Sequence, residues 1–136
     1  MQLNPYLLFN GRCEEAFKLY AQCLRGKIAA MVRFSETPTA GQMPPEMRNQ
    51  IIHTRLMVGD QVLMGSDCPP DRYDPPKGFS VSIGVNDPAE AERIFRALAE
   101  GGTITMPIQE TFWARRFGML VDRFGIPWMV NCEKAS

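Results

Sequence analysis

The sequence predicts an α+β fold built from two β-α-β-β-β modules, on three observations. The first is a repeat. Tyr6-Leu-Leu-Phe9 leads through a turn to Glu15-Ala16-Phe17, Tyr20, Leu24 and Gly26, and Val81-Ser-Ile-Gly-Val85 leads through a turn to Glu90-Ala91, Phe95, Ala99 and Gly101. The Glu-Ala pairs (15 and 90) and the closing glycines (26 and 101) share one offset of 75 residues. Repetition on this scale marks one supersecondary unit used twice. The second observation is that the run after each turn carries apolar residues at helical spacing. The third is that the remaining apolar runs are short, β-rich and separated by turn residues.

A chain of 136 residues is of single-domain size and can bury about 65–70% of its unfolded surface without a disulfide or metal. The expected division is a first module over 1–67, a Pro-rich linker over 68–78 and a second module over 79–136, all within one domain spanning 1–136.

Asn4 to Phe9 reads as the first strand, and Asn10-Gly11 ends it. From Cys13 to Leu24 the residues Cys13, Phe17, Tyr20 and Leu24 form one stripe of a helix, with Gly26 as its stop. Lys27 to Phe34 is a second strand. Ser35 to Gln50 holds three prolines and no period, so it reads as a long loop with room for one helical turn after Pro44-Pro45. Ile51 to Val58 and Val62 to Gly65 form a hairpin around Gly59-Asp60. Pro69-Pro70 and Pro75-Pro76 mark an extended linker.

Phe79 to Val85 opens the second copy. Asp87-Pro88-Ala89-Glu90 is a helix start: Asp87 can cap, Pro88 suits the first helical position and Glu90 can return a bond to the cap. Ala91, Ile94, Phe95 and Leu98 are the buried stripe, and Gly101-Gly102 stops the helix. That glycine pair follows a helix, whereas phosphate-cradling loops precede one. Thr103 to Gln109, Phe117 to Val121 and Ile126 to Cys132 complete the strands, the last two joined by Asp122-Arg-Phe-Gly125.

Composition narrows the function. Lys plus Arg and Asp plus Glu both number 15, so the formal net charge is zero, and no basic stripe supports nucleic-acid binding. The N-terminus lacks a signal-peptide pattern and no apolar run is membrane-length, so a cytoplasmic protein without a membrane partner is expected. Cys13, Cys23, Cys68 and Cys132 form no Cys-x-x-Cys pair, which argues against zinc and for reduced thiols, with Cys13 and Cys23 as core residues.

Several segments carry a resemblance. They are Pro5-Tyr6-Leu7-Leu8-Phe9 with Asn10-Gly11, Glu15-Ala16-Phe17 with Tyr20, and His53-Thr-Arg-Leu56. To them are added Met64-Gly-Ser-Asp67, Phe112-Trp113 and Asp122-Arg-Phe-Gly-Ile-Pro-Trp128. With these segments nearly the whole chain resembles the vicinal oxygen chelate superfamily, the group of glyoxalase I, bleomycin- and fosfomycin-resistance proteins and extradiol dioxygenases. Within it the chain is most similar to the PhnB-like branch, often labelled demethylubiquinone methyltransferase-like. The resemblance implies strands curled into an open, curved mixed sheet with the helices outside. It also implies a homodimer, with a pocket formed by the two modules or across chains. The methyltransferase label finds no support in the residues, because no glycine-rich loop follows a strand and opens a helix.

The superfamily's metal positions, carried over by resemblance, fall near Pro5 on the first strand, His53 on the third, Ser80 at the fifth and Met129 on the last. A divalent ion that binds two substrate oxygens needs His, Asp or Glu there. Only His53 is a competent ligand, so no metal and no cofactor are expected.

His53, the one histidine, is either a hydrogen-bonded structural residue or a pocket-lining polar group and weak base. Phe112-Trp113-Ala-Arg115-Arg116-Phe117 is either an aromatic lid with an arginine for an anionic ligand, or a packed loop whose arginines reach solvent or a partner chain. Met57, Met64, Met106, Met119 and Met129 lie in strands and suit either a core or an adaptable pocket wall. Asp67 and Asp122 read as turn residues.

The expectation is a protein that binds a small, partly apolar molecule through Tyr6, His53, Trp113, Arg115, Phe117 and Met129, with His53 the one candidate catalytic group. The alternatives are a metal-dependent glyoxalase-type lyase or isomerase, and a dimer without a ligand.

Overall fold

A computed structural model describes residues 1–134 and divides the chain into two compact units, Met1–Asp74 and Pro75–Ser136. The first unit contains β1 (Tyr6–Phe9), α1 (Cys13–Leu24), β2 (Lys27–Arg33), β3 (Ile51–Val58) and β4 (Gln61–Asp67). The second contains β5 (Val81–Val85), α2 (Pro88–Ala99), β6 (Thr103–Gln109), β7 (Ala114–Val121) and β8 (Pro127–Glu133). Each unit is one four-stranded mixed sheet with one helix. The orders β1-β4-β3-β2 and β5-β8-β7-β6 are the same topology twice, so the repeat in the sequence is a repeat in the fold. In each sheet the first and last strands pair parallel and the others antiparallel. The architecture is the α+β fold of two β-α-β-β-β modules. No helix among the described residues is long and apolar enough to cross a membrane.

One face of each sheet is sealed by its helix. In the first unit Leu7, Phe9, Leu56 and Leu63 are buried together with Ala16, Phe17 and Tyr20 of α1. Phe17 packs edge-on to Phe9 and Tyr20, at 6.0 and 5.6 Å between ring centroids. In the second unit Leu120, Trp128, Val130 and Cys132 meet Ala91, Ile94, Phe95 and Leu98 of α2. Strand alternation then aims the intervening residues at the opposite, open face.

The two helices start differently. Asp87 caps α2 locally, its Oδ1 accepting the Ala89 N–H at 3.1 Å. Glu90 pairs with Arg93 at 2.6 Å. Helix α1 has Arg12 at the cap position and no side-chain cap from it. Its capping acceptor is Asp67, at the far end of β4. The carboxylate takes the N–H groups of Cys13 (3.0 Å), Ile51 (2.9 Å) and Gly11. Asp67 is therefore a buried junction of β4, β3 and α1 and not only a turn residue. Asp122 is the turn residue expected: it accepts from Phe124 N, Ile126 N and Trp128 Nε1 and so shapes the β7–β8 turn.

Several boundaries depart from the sequence reading, among them β1 starting at Tyr6, β5 starting at Val81 and β4 running on through Asp67. Helix α1 closes with Arg25 in the left-handed conformation (φ 54°), one residue before Gly26. Gly26 is required for space: a Cβ there would lie 2.7 Å from the Met57 carbonyl oxygen. Strand β7 begins at Ala114, not Phe117. A tight turn, with Thr111 N–H donating to Ala114 O and Ala114 N–H donating to Thr111 Oγ1, reverses the chain early and puts Arg115, Arg116 and Phe117 in the sheet. The 34–50 segment holds three short 3-10 turns, Phe34–Glu36, Ala40–Gln42 and Pro45–Met47.

Candidate functional site

The open face of the first sheet carries Tyr6 and Leu8 from β1, 44% and 48% exposed, while Leu7 and Phe9 face the helix. The ladder sets Tyr6 opposite Met64, and Met64 opposite Arg55. His53 lies one residue before Thr54, which pairs with Gly65, so His53 stands beside Ser66. Strands β1 and β3 are separated by β4, a gap of about 10 Å. The Tyr6 ring bridges it. Its Oη lies 3.2 Å from His53 Nδ1, and the rings stack at 24° with centroids 5.8 Å apart. With the His53 proton on Nε2, the phenol O–H donates to Nδ1 and Nε2–H is left as a donor. In the other tautomer Nδ1–H donates to the phenol oxygen and Nε2 is a base. The pair thus presents one half-buried imidazole edge, oriented by a tyrosine, on a face that also carries Arg55 and Ser66.

The open face of the second sheet carries Ser82 and Gly84 from β5, Met129 and Asn131 from β8, and Phe117 and Met119 from β7. Met129 lies between Ser82 and Met119, and Asn131 between Gly84 and Phe117. Trp113, 44% exposed, packs edge-on to Phe117 at 5.3 Å, and Phe112 packs on Trp113 at 4.8 Å. Phe117, Trp113 and Met129 are therefore brought to one region, as are Tyr6 and His53 in the other unit.

Arg115 and Arg116 are committed within their own unit. Arg115 Nε donates to Glu133 O at 3.0 Å and its Nη2 to Asn86 O at 2.6 Å. Arg116 turns to the helix side, donating to Glu92 Oε1 at 2.9 Å and to Arg115 O at 2.7 Å. Asn131 was not among the residues singled out from the sequence. Its Oδ1 is buried without a hydrogen-bond partner. The alternation Trp128-Met-Val-Asn131-Cys132 is the signal that places it on the open face.

Pro5 and Ser80 lie just before β1 and β5, and the strand-borne positions on the open faces are Tyr6 and Ser82. Opposite them stand Met64 and Met129, which offer thioethers where a hard cation takes oxygen. No group of three or more His, Cys, Asp or Glu able to hold an ion occurs among the described residues.

Residues 1–131 match the family model described as 3-demethylubiquinone-9 3-methyltransferase. The chain belongs to that family. It is 34% identical to protein YjdN of Escherichia coli over 98% of this chain and 97% of that one. It is 50% identical to PA1353 of Pseudomonas aeruginosa, with a TM-score of 0.90 over 99% of both chains. A PhnB protein of Bacillus cereus, titled a putative 3-demethylubiquinone-9 3-methyltransferase, is 24% identical with a TM-score of 0.79, covering 97% and 99% of the two chains. A glyoxylase/bleomycin resistance protein/dioxygenase domain from Frankia shares the fold, at 13% identity and a TM-score of 0.65 over 98% and 95% of the chains. The fold is that of the glyoxylase/bleomycin resistance protein/dioxygenase domain, in keeping with the resemblance carried by the sequence.

Proposed function

We propose that this PhnB-like protein is a homodimer that binds a small, partly apolar molecule on the open sheet faces, without a chelated ion. One observation carries the reading: the Tyr6–His53 pair, joined at 3.2 Å across an intervening strand, sets an oriented polar group beside Leu8 and Met64 on the open face. Ligand sites are mostly apolar walls with a few placed polar groups. Trp113, Phe117 and Met129 supply such a wall on the second sheet. The superfamily's ion does not fit the residues at its positions, since Pro5, Ser80 and Met129 offer no imidazole or carboxylate and only His53 is a competent ligand. Methyl transfer is no part of the reading. The turns that open α1 and α2, Asn10–Arg12 and Asn86–Asp87, contain one glycine between them and no glycine-rich cradle.

The test is ligand-observed NMR of the full chain against a panel of small aromatic and aliphatic carbonyl compounds, with His53→Ala and Phe117→Ala alongside. Binding weakened by either variant supports the reading, and binding indifferent to both overturns it. Metal analysis separates the alternative. Zinc, nickel or iron retained stoichiometrically by the wild type and lost in His53→Ala would identify a glyoxalase-type metalloenzyme instead.

A further inference from the structure

Gly84 lies inside the edge strand β5, and its own chain gives no reason for a glycine there. It does not take a left-handed conformation. The strand pairs with β8 in unbroken register from Val81 to Val85, so Gly84 marks no bulge. A Cβ built on it would have no heavy atom within 4 Å among the described residues beyond its chain neighbours. A glycine inside a strand weakens it, and where neither bulge nor bend accounts for it, it marks a place where something comes close to the backbone. The first module shows the alternative. Leu8 and Gly84 are each the next-to-last residue of their strands, and Leu8 fills with an exposed side chain the space that Gly84 leaves bare.

Across the sheet from Gly84 stand Asn131 and then Phe117. Two strand spacings, about 10 Å, separate β5 from β7. Over Asn131 this gap has an aromatic wall on one side, Phe117 backed by Trp113, and bare backbone on the other. At its base is the Asn131 carboxamide, whose Oδ1 is buried without a partner. The last torsion of an asparagine is broad, so the amide edge can turn to the gap. That edge carries an acceptor beside a donor, and it pairs in two hydrogen bonds with a flat ring edge that carries a donor beside an acceptor. Gly84, Phe117 and Met129 bring no charge, and the next charged position along β8 is the acidic Glu133, which disfavours an anion. We infer that the gap takes a flat, neutral heteroaromatic ring with an N–H next to a carbonyl or ring nitrogen, stacked on Phe117, paired to Asn131 and admitted by Gly84. This rests on the ligand-binding reading above and gives that ligand a chemical class.

Ligand-observed NMR of the full chain with three matched compounds tests it: 2-pyridone, its N-methyl derivative and the saturated lactam 2-piperidone. 2-Pyridone is expected to bind about tenfold or more tighter than either, because the first analogue lacks the donor and the second lacks the flat face. Gly84→Leu copies the residue of the first sheet, and Asn131→Leu removes the orphaned acceptor. Both are expected to lose 2-pyridone binding while the urea midpoint stays level or rises. Absence of 2-pyridone binding, equal binding of the three compounds, or binding indifferent to both variants overturns the inference. The comparison of compounds needs no variant, so it decides even if one fails to fold. A Gly84→Leu chain that differs from wild type only in sedimentation assigns the bare strand to a second backbone and overturns the inference as well. The broader reading survives each of these results as long as a member of its own panel binds and is weakened by His53→Ala or Phe117→Ala.

Discussion

Asp67 caps a helix that starts 54 residues before it: its Oδ1 accepts the N–H of Cys13 at 3.0 Å, inside the core of the first unit. The same carboxylate takes the N–H of Ile51 at 2.9 Å and that of Gly11. One side chain thus joins the end of β4, the start of β3 and the first turn of α1, where an anion is also favoured by the helix dipole. Asp67→Ala leaves these buried donors without an acceptor and is expected to cost about 2–4 kcal/mol of stability. Asp67→Asn keeps one acceptor and sets an NH₂ against another donor, so a smaller loss of about 1–2 kcal/mol is expected. Urea unfolding of the three proteins gives the order directly.

Acid acts on the first unit through two carboxylates with opposite signs. Burial is the largest influence on Asp67 and pushes its carboxyl above the usual range, against the pull of its N–H donors. Its contribution is therefore fully present at low pH and is lost as pH rises through that raised value. Glu14 is the reverse. Hydrogen bonds from Arg33 and then Lys18 hold it down to about 2. Its contribution is present above its ordinary value of 4.5 and is lost as pH falls from there through about 2.

The Glu14 effect should be seen in the 34–50 segment. Arg33 grips Glu14 with two N–H groups at 2.9 and 2.8 Å and also donates to Asn49 O at 2.8 Å. It stands beside the bonds Phe34 N–H to Gln50 O and Ser35 N–H to Arg48 O, which close the segment. Between pH 4.5 and 2, the protection of the Phe34 and Ser35 amides relative to their intrinsic exchange is expected to fall in the wild type. Glu14→Gln is expected to show the low protection already at neutral pH. Equal exchange in the two proteins at neutral pH would disprove the linkage.

Gly65 carries a packing constraint that no turn explains. It sits mid-strand in β4, where a Cβ would lie 2.7 Å from the Phe17 ring and 2.8 Å from the Leu7 carbonyl oxygen. The ring can yield, but the β1 backbone is held by its ladder to β4. Gly65→Ala is expected to destabilise by about 1–3 kcal/mol, with Phe17→Leu in the same chain recovering part of the loss. Thermal unfolding of the single and double variants measures the coupling.

The repeat, both helices and the strand-helix-three-strand succession of each module were legible because they rest on local signals: apolar period, caps and turn residues. What escaped the sequence was set by contacts between distant segments. Arg25 takes the αL position, while the glycine beside it is kept for space against the Met57 carbonyl oxygen, a contact that no local pattern announces. Asp67 and Asp122 look alike in sequence, yet one bridges three elements and the other serves its own turn. On the candidate site, Tyr6 and His53 were each singled out from the sequence, but the reach of the Tyr6 ring across β4 to His53 depends on ring length against strand spacing. Asn131 was passed over because an unpartnered acceptor can be recognised only once its neighbours are placed.

Arg115 shows how far placement changes a reading. A paired arginine in an aromatic segment suggests an anion site, but this guanidinium donates to Glu133 O and Asn86 O, the ends of β8 and the exit of β5. Two donors held in a rigid fork can reach both carbonyls, and an ammonium on a flexible stem cannot hold both at once. Arg115→Lys and Arg115→Met are therefore expected to lose stability about equally, by about 1–2 kcal/mol each. If charge alone were needed, the lysine variant would match the wild type. If the arginine were instead reserved for an anionic ligand, neither variant would change the urea midpoint, and both would abolish anion-dependent stabilisation. Unfolding in urea, repeated with and without phosphate, distinguishes the three outcomes.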